Sequence, residues 1–365
     1  MTLPREFLIE ERLEKFRNVT SCNLGESGLQ NFTFGEVISL CNIQIDELYS
    51  LSLKDSPNNG SLALRTEISS LYNSIDPNSI LITTGTSEAL YLFFKTILNK
   101  KTRVGYFSPA FQALYEIPLL CGASLSPVDI LTGKNFESLF KNSDLVILNH
   151  PHNPTGISFS PEDWKEIDYW NQRYNRTLLF DEHYQFLNYK DLPFQSGMDR
   201  EGQIYATGSI TKSFGVTGLR IGWIIGDPIL LKKIRSYKDY ITHTVNPISE
   251  FLALHILKKK DQILPAIISR VKDNIKTFDL AFKDLKSLED YIEPLGGLVC
   301  FPKLKKGITS ELYADELKKN CDIFVLPGIN FEREGYLRVG FGESNEKFKN
   351  GLARWIEWEK KNERK

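Results

Sequence analysis

The sequence predicts an α/β protein, with a large domain built on a mainly parallel sheet flanked by helices and a smaller α+β domain beside it. Three observations carry this. The chain has 365 residues, more than the roughly 250 to 300 at which a single hydrophobic core stops growing. Its middle alternates short apolar runs with amphipathic stretches, the pattern of strands buried on both faces beneath covering helices. Its last segment changes character, with glycine-rich breaks between short strands and a closing amphipathic helix.

Taken in order, the first twelve residues, Met1 to Arg12, are too charged for a signal peptide and read as an N-terminal arm. Ile80-Leu81-Ile82, Leu145-Val146-Ile147-Leu148 and Leu178-Leu179-Phe180 read as strands, each ending in a polar cluster. Gly296-Gly297 is expected to open a strand, Val325-Leu326-Pro327-Gly328 to form a loop, and Leu337-Arg338-Val339 to form another strand. Phe348, Leu352, Trp355 and Ile356 share one face of the last helix. The expected division is a large domain over 46–280, with 1–45 and 281–365 forming the small one.

Composition narrows the function classes. A hydrophobic content of 41% with 25% charged residues is ordinary for a globular chain. The net charge is −1, with both signs interspersed, so no footprint for a phosphate backbone exists and nucleic acid is not an expected partner. Cys22, Cys41, Cys121, Cys300 and Cys321 are odd in number and scattered, which disfavours disulfides and structural zinc, and no metal site is expected. No apolar run approaches the roughly 18 residues of a membrane span. A soluble cytoplasmic protein is the expectation.

In a parallel sheet, ligands collect beyond the carboxyl ends of the strands. After Ile80–Ile82 comes Thr84-Gly85-Thr86-Ser87-Glu88 and then an apolar helix. Backbone N–H groups and the positive dipole end there suit an anion such as phosphate; alone, the segment reads more simply as a helix cap. Leu178–Phe180 delivers Asp181-Glu182-His183-Tyr184, and a carboxylate so placed can meet a cationic nitrogen. Ser209-Ile210-Thr211-Lys212-Ser213 sets a lysine among hydroxyl residues, with Arg220 eight positions later. A lone lysine is ordinarily a solvated one. In this combination it supplies an amine for a Schiff base, with phosphate ligands around it.

At these residues the sequence resembles the fold type I, aspartate-aminotransferase-like family of pyridoxal 5′-phosphate (PLP) enzymes, in the family's order through most of the chain. Asn149-His150-Pro151-His152-Asn153-Pro154-Thr155-Gly156 is similar to the family's Asn-Pro-x-Asn-Pro-Thr-Gly loop, and Asp181 with Tyr184 to its Asp-x-x-Tyr pair. The resemblance implies that Lys212 carries the cofactor as a Schiff base and that Asp181 pairs with the pyridine nitrogen. It also implies that Asn153 and Tyr184 hydrogen-bond the phenolic oxygen. Gly85, Thr86, Ser87, Ser209 and Arg220 are implied at the phosphate, Phe111 on the pyridine face, and Arg338 at the substrate α-carboxylate, where a planar fork binds bidentately. Phe111 taken alone is better read as a core phenylalanine, and Arg338 as a surface strand arginine. An amino-acid substrate, reaction through an external aldimine with loss of the α-proton to Lys212, and a homodimer follow from the same resemblance.

Two segments depart from an ordinary aminotransferase. Lys54–Arg65 lacks the tyrosine that common members lend to the partner's phosphate, about five residues before the glycine of Gly-x-x-x-Leu-Arg. The usual substrate loop is replaced by Asn23-Leu24-Gly25-Glu26-Ser27-Gly28-Leu29-Gln30-Asn31-Phe32-Thr33-Phe34-Gly35-Glu36, which resembles the corresponding stretch of capreomycidine and enduracididine synthase-type cyclases. Those relatives eliminate water from a hydroxylated arginine and close its guanidine into a ring. The expected function is therefore dehydration and cyclisation of a hydroxylated L-arginine, with Glu26, Ser27, Gly28, Asn153 and Arg338 at the substrate. Glu26, or Glu10 and Glu11, would meet its guanidinium; Glu26 is equally readable as a solvated acid, and Glu10 and Glu11 are more readily so read. His183 inside the Asp-x-x-Tyr pair reads as a structural hydrogen-bonding residue or a proton shuttle. The alternative is an aminotransferase that uses the same cofactor residues, and a decarboxylase or carbon–sulfur lyase would use them too. A non-catalytic ligand sensor would be expected to carry a DNA-binding domain or to lack the lysine; the sequence opens in the arm and Lys212 is present.

Overall fold

The computed structural model describes residues 3–189 and 194–362. Its centre is a seven-stranded sheet: β1 (Ile80–Thr84), β2 (Arg103–Ser108), β3 (Ser124–Asp129), β4 (Leu145–Asn149), β5 (Thr177–Asp181), β6 (Gln203–Ser209) and β7 (Ile221–Ile225). Their order is β1-β7-β6-β5-β4-β2-β3. All neighbours run parallel except β7, which is antiparallel to both β1 and β6.

Period-two alternation sends residues of one strand to two cores. Leu145 and Ile147 face a layer containing Leu81, Ala89, Leu90, Phe93 and Leu179. Val146 and Leu148 face Phe136, Phe140, Trp164, Ile167 and Phe180 on the other side. Both faces are thus covered, as the unbroken apolar runs require. This arrangement puts the carboxyl ends of β1, β2, β4, β5 and β6 along one edge. The antiparallel β7 enters from that edge, so Arg220, just before it, joins them.

Chain ends meet beside this edge. The arm helix Leu8–Phe16 buries Ile9 and Leu13 against Phe301, Phe324, Leu326 and Phe331. Cys22–Asn23 pairs in parallel with Ile323–Phe324. Val299–Cys300, Leu337–Gly340 and Leu326–Pro327 form a small antiparallel sheet, and the helix Asn345–Asn362 closes the chain with Phe348, Leu352 and Trp355 buried.

Two local expectations are corrected. Val325–Gly328 is not a loop: Leu326–Pro327 pairs with Leu337–Arg338. Burial of Val325 and Leu326 drives the pairing, and the proline is tolerated because this strand is an edge. The strand expected to open at Gly296-Gly297 begins at Val299. Gly297 has φ +78°, and a Cβ there would stand 3.0 Å from the Tyr184 ring, so it serves as a close backbone approach. Among the described residues no helix is long and apolar enough to cross a membrane, and no group of metal-ligating side chains is found. All five cysteines are free thiols.

Candidate active site

Asp181 ends β5 and is 2% exposed. Its Oδ1 accepts from Thr207 Oγ1 at 3.0 Å and its Oδ2 from Asn149 Nδ2 at 3.2 Å; His183 Nδ1 lies 3.2 Å from Oδ2. Thr207 comes from the adjoining strand β6 and Asn149 from β4, so the sheet itself orients the carboxylate. Asn149 Oδ1 also accepts from Asn153 N at 2.7 Å, tying down the loop that carries Asn153. In that loop His152 Nδ1 sits 2.8 Å from Thr155 Oγ1, and burial pushes the imidazole down to about 4, which keeps it neutral at neutral pH.

Lys212 follows β6 and projects into the cleft between Asp181 and Arg220. Burial lowers its amine; Glu26 opposes this, while Arg338 and Arg220 add to it. Its Nζ has no hydrogen bond or ion pair among the described residues. Beside it starts the helix Gly85–Ile97, which has no side-chain cap, so its first N–H groups remain available to a ligand. Gly85 has φ +76°, and a Cβ there would lie 2.5 Å from Arg220 Nη2. A Cβ on Gly222 would stand 2.6 Å from Gly85 C and 2.7 Å from Thr86 N. Two glycines therefore let the helix start and a guanidinium converge. Ser209 is buried and shares a 3.1 Å hydrogen bond with Thr211 Oγ1, which faces the cleft. This cup of uncapped N–H groups, hydroxyls and Arg220 suits a phosphate.

Opposite lies Arg338, 1% exposed. It donates from Nη1 to Asn153 Oδ1 at 3.1 Å and from Nη2 to Gly25 O at 2.6 Å, and its buried Nε has no partner. Phe331 lies against it, 5.1 Å from ring centre to guanidinium. No carboxylate pairs with it among the described residues, so a buried positive charge is left facing the cleft, a strong bias toward an anionic ligand. Tyr184, fully buried, donates its hydroxyl to Ser27 O at 2.7 Å; burial raises that hydroxyl above the ordinary tyrosine value.

At the mouth, Phe111 packs 5.4 Å from Phe7. Ile9, Leu13 and Leu90 line the inner wall with Ser27, Thr86 and Ser87. An outer cleft of about 680 Å³ opens past Glu10, Arg17, Glu26 and Gly28. Arg17 Nε donates to Glu26 Oε1 at 2.5 Å, and its Nη2 lies 3.4 Å from Glu10 Oε2.

Most of the sequence-predicted set lines one cleft, while Gly85, Ser209 and Tyr184 do not line it but stand against Arg220, Thr211 and Ser27, which do. Glu11 is exposed and lines neither part, because its neighbour Glu10 takes the cleft-facing side of the arm helix. Sequence reasoning missed Thr207 and Arg17 as members of the site. Thr207 sits two positions before Ser209 on β6, so the strand period was a usable signal; nothing in the sequence flagged Arg17.

The donor set fits PLP: an unpartnered amine, a buried carboxylate, an anion cup and a second anion site at Arg338. Comparisons with known proteins agree. Capreomycidine synthase of Streptomyces vinaceus is 25% identical over 341 residues, covering 91% of this chain and 88% of its own. Aspartate aminotransferase of Pyrococcus horikoshii is 26% identical over 364 residues, covering 94% and 91%. A probable N-acetyl-LL-diaminopimelate aminotransferase of Bacillus subtilis is 30% identical over 316 residues, covering 82% and 80%. Two solved structures share the fold at TM-score 0.92: a PLP-dependent aminotransferase from Streptococcus suis, 24% identical, and the PLP-dependent cyclase OrfR, 22% identical, each covering 99% of both chains. Residues 50–354 match the family described as aminotransferase class I and II, so the chain belongs to that family and is a PLP-dependent enzyme.

Proposed function

We propose that this enzyme dehydrates and cyclises a hydroxylated L-arginine to a cyclic guanidine amino acid of the capreomycidine or enduracididine type. The observation that carries the reading is a cleft with opposite needs at its two ends. Arg338 is a buried guanidinium with no carboxylate paired to it among the described residues, suited to an α-carboxylate, while Glu10 and Glu26 at the mouth suit a distal cation. The 25% identity with capreomycidine synthase over 91% of the chain supports it.

When bound, PLP supplies an electron sink for the pair left by a departing α-proton. In this reading Lys212 holds the cofactor and afterwards takes the α-proton on Nζ, an amine whose proton affinity burial lowers. Asp181, fixed by Thr207 and Asn149, holds a proton on the pyridine nitrogen. Gly85, Thr86 and Ser87, with Ser209, Thr211 and Arg220, hold the phosphate. Phe111 would pack on the cofactor ring, and Asn153 and Tyr184 would serve its phenolic oxygen. Arg338 and Asn153 hold the substrate carboxylate, and the loop Glu26-Ser27-Gly28 borders the side chain. The proton taken by Lys212 passes to the leaving hydroxyl, which departs as water as its C–O bond breaks; a guanidine nitrogen then adds to the resulting carbon–carbon double bond, and its N–H proton returns by way of Lys212 to the carbon skeleton.

The competing reading is amino transfer to a keto acid, favoured by the aspartate and diaminopimelate-type relatives. Purified PLP-loaded enzyme incubated with β- and γ-hydroxy-L-arginine, without any keto acid, decides between them. A product lighter by one water is expected. Turnover that appears only once a keto acid is added would overturn the cyclase reading.

A further inference from the structure

Arg17 already places a guanidinium between the two carboxylates at the cleft mouth. Glu10 and Arg17 are seven residues apart, about two helical turns, so they project from one face of the arm helix and its end. Glu26 is fixed independently: Asn23 Oδ1 accepts from Gly25 N at 3.1 Å and Glu26 N at 3.2 Å, a local turn that presents the carboxylate. Arg17 Nε reaches it at 2.5 Å. The pair is not deep: Arg17 and Glu26 side chains are 36% and 25% exposed, and both border the cleft shared with Lys212. An ion pair so hydrated contributes little and exchanges partners readily. Arg338, its Nε unpartnered, lines the inner pocket, which shares Glu10 and Lys212 with this outer cleft.

We propose that Arg17 is an internal placeholder for the substrate's distal cation, displaced from Glu26 when a guanidinium enters, so that Arg17 and substrate compete for one carboxylate. This rests on the arginine-type reading above. It makes Arg17 a specificity residue that weakens binding of the right substrate while covering Glu26 in its absence.

The test uses PLP-loaded enzyme titrated with L-arginine and with L-citrulline, its uncharged isostere, followed by the visible absorption of the bound cofactor. Arg17→Met, which keeps the apolar stem and drops the charge, is expected to bind L-arginine about 3- to 10-fold more tightly than wild type, with L-citrulline unchanged. Arg17→Gln, milder for the fold, is expected to do the same, and Glu26→Gln to abolish the preference for arginine in either background. Arginine preferred by wild type but bound no better by both Arg17 variants would overturn the placeholder and leave the substrate reading standing. No preference for arginine over citrulline in any protein would overturn the substrate reading itself.

Discussion

Asp181 and Glu182 are chain neighbours held in opposite ways. Asp181 turns into the cleft and is oriented by Thr207, Asn149 and His183, so its charge is available to a ligand. Glu182 turns away, fully buried, accepting from Ser196 Oγ at 2.7 Å and Gly197 N at 2.6 Å. Burial pushes the Glu182 carboxyl up to about 8 against the pull of those two donors. The folded chain therefore holds this proton more tightly than the unfolded chain, whose carboxyl titrates near 4.5. The stabilisation is fully present below the unfolded value and is lost as pH rises through about 8. Glu182→Gln keeps a carbonyl for Gly197 N–H and an amide for the Ser196 hydroxyl, but cannot ionise. Relative to wild type, its unfolding free energy is expected to climb between about pH 5 and about pH 9 by on the order of a few kcal/mol, read from urea titrations at each pH. A difference that stays flat across that window would show that the Glu182 carboxyl titrates alike in the folded and the unfolded chain.

At the scale of elements, the phosphate cup depends on how closely the start of helix Gly85–Ile97 approaches β7. Gly85→Ala puts a Cβ 2.5 Å from Arg220 Nη2 at φ +76°. The backbone strain alone is about 1–2 kcal/mol, and Arg220 must also move. PLP affinity is expected to fall about tenfold or more, measured by reconstitution of cofactor-free protein; unchanged affinity would remove Arg220 from the cup. How legible these elements were follows from what each residue does. The strands and the polar clusters at their ends could be read because apolar runs buried on both faces are continuous, and because lysine, aspartate and arginine announce charge chemistry. Gly85 was visible as a residue, but its contact with Arg220 was not, since 135 positions separate them and only the antiparallel entry of β7 joins them. Val325–Gly328 misled because a proline and a glycine look like a turn, whereas partners at Leu337 and Arg338 override that local signal. Arg17 carried no signal at all: its role exists only once the arm helix is folded against the loop bearing Glu26.

At the scale of the whole molecule, the segment Leu24–Phe32 is laid backbone to backbone between the C-terminal segment and the lysine loop. Leu24 N donates to Phe324 O at 2.8 Å, Gly340 N to Leu24 O at 2.7 Å, and Gln30 N to Gly342 O at 2.8 Å, all on the C-terminal side. Leu29 N donates to Lys212 O at 3.3 Å and Phe32 N to Gly215 O at 2.8 Å, on the side of the lysine loop. Close approach is possible because Gly340 and Gly342 carry no side chain: a Cβ on the first would run into Glu26 O, and on the second into Gly28 O. The Glu26-Ser27-Gly28 loop, proposed to border the substrate, is thus positioned by glycines more than 300 residues away in sequence. Gly342→Ala is accordingly expected to shift the Glu26-Ser27-Gly28 backbone and raise KM about tenfold, equivalent to about 1.4 kcal/mol, while the cofactor absorption of the loaded enzyme stays that of wild type. Steady-state kinetics beside the visible spectrum separate the two effects. Loss of cofactor together with substrate affinity would mean that the segment supports Lys212 as well, through the Leu29 hydrogen bond, and that the substrate loop and the cofactor floor form one mechanical unit.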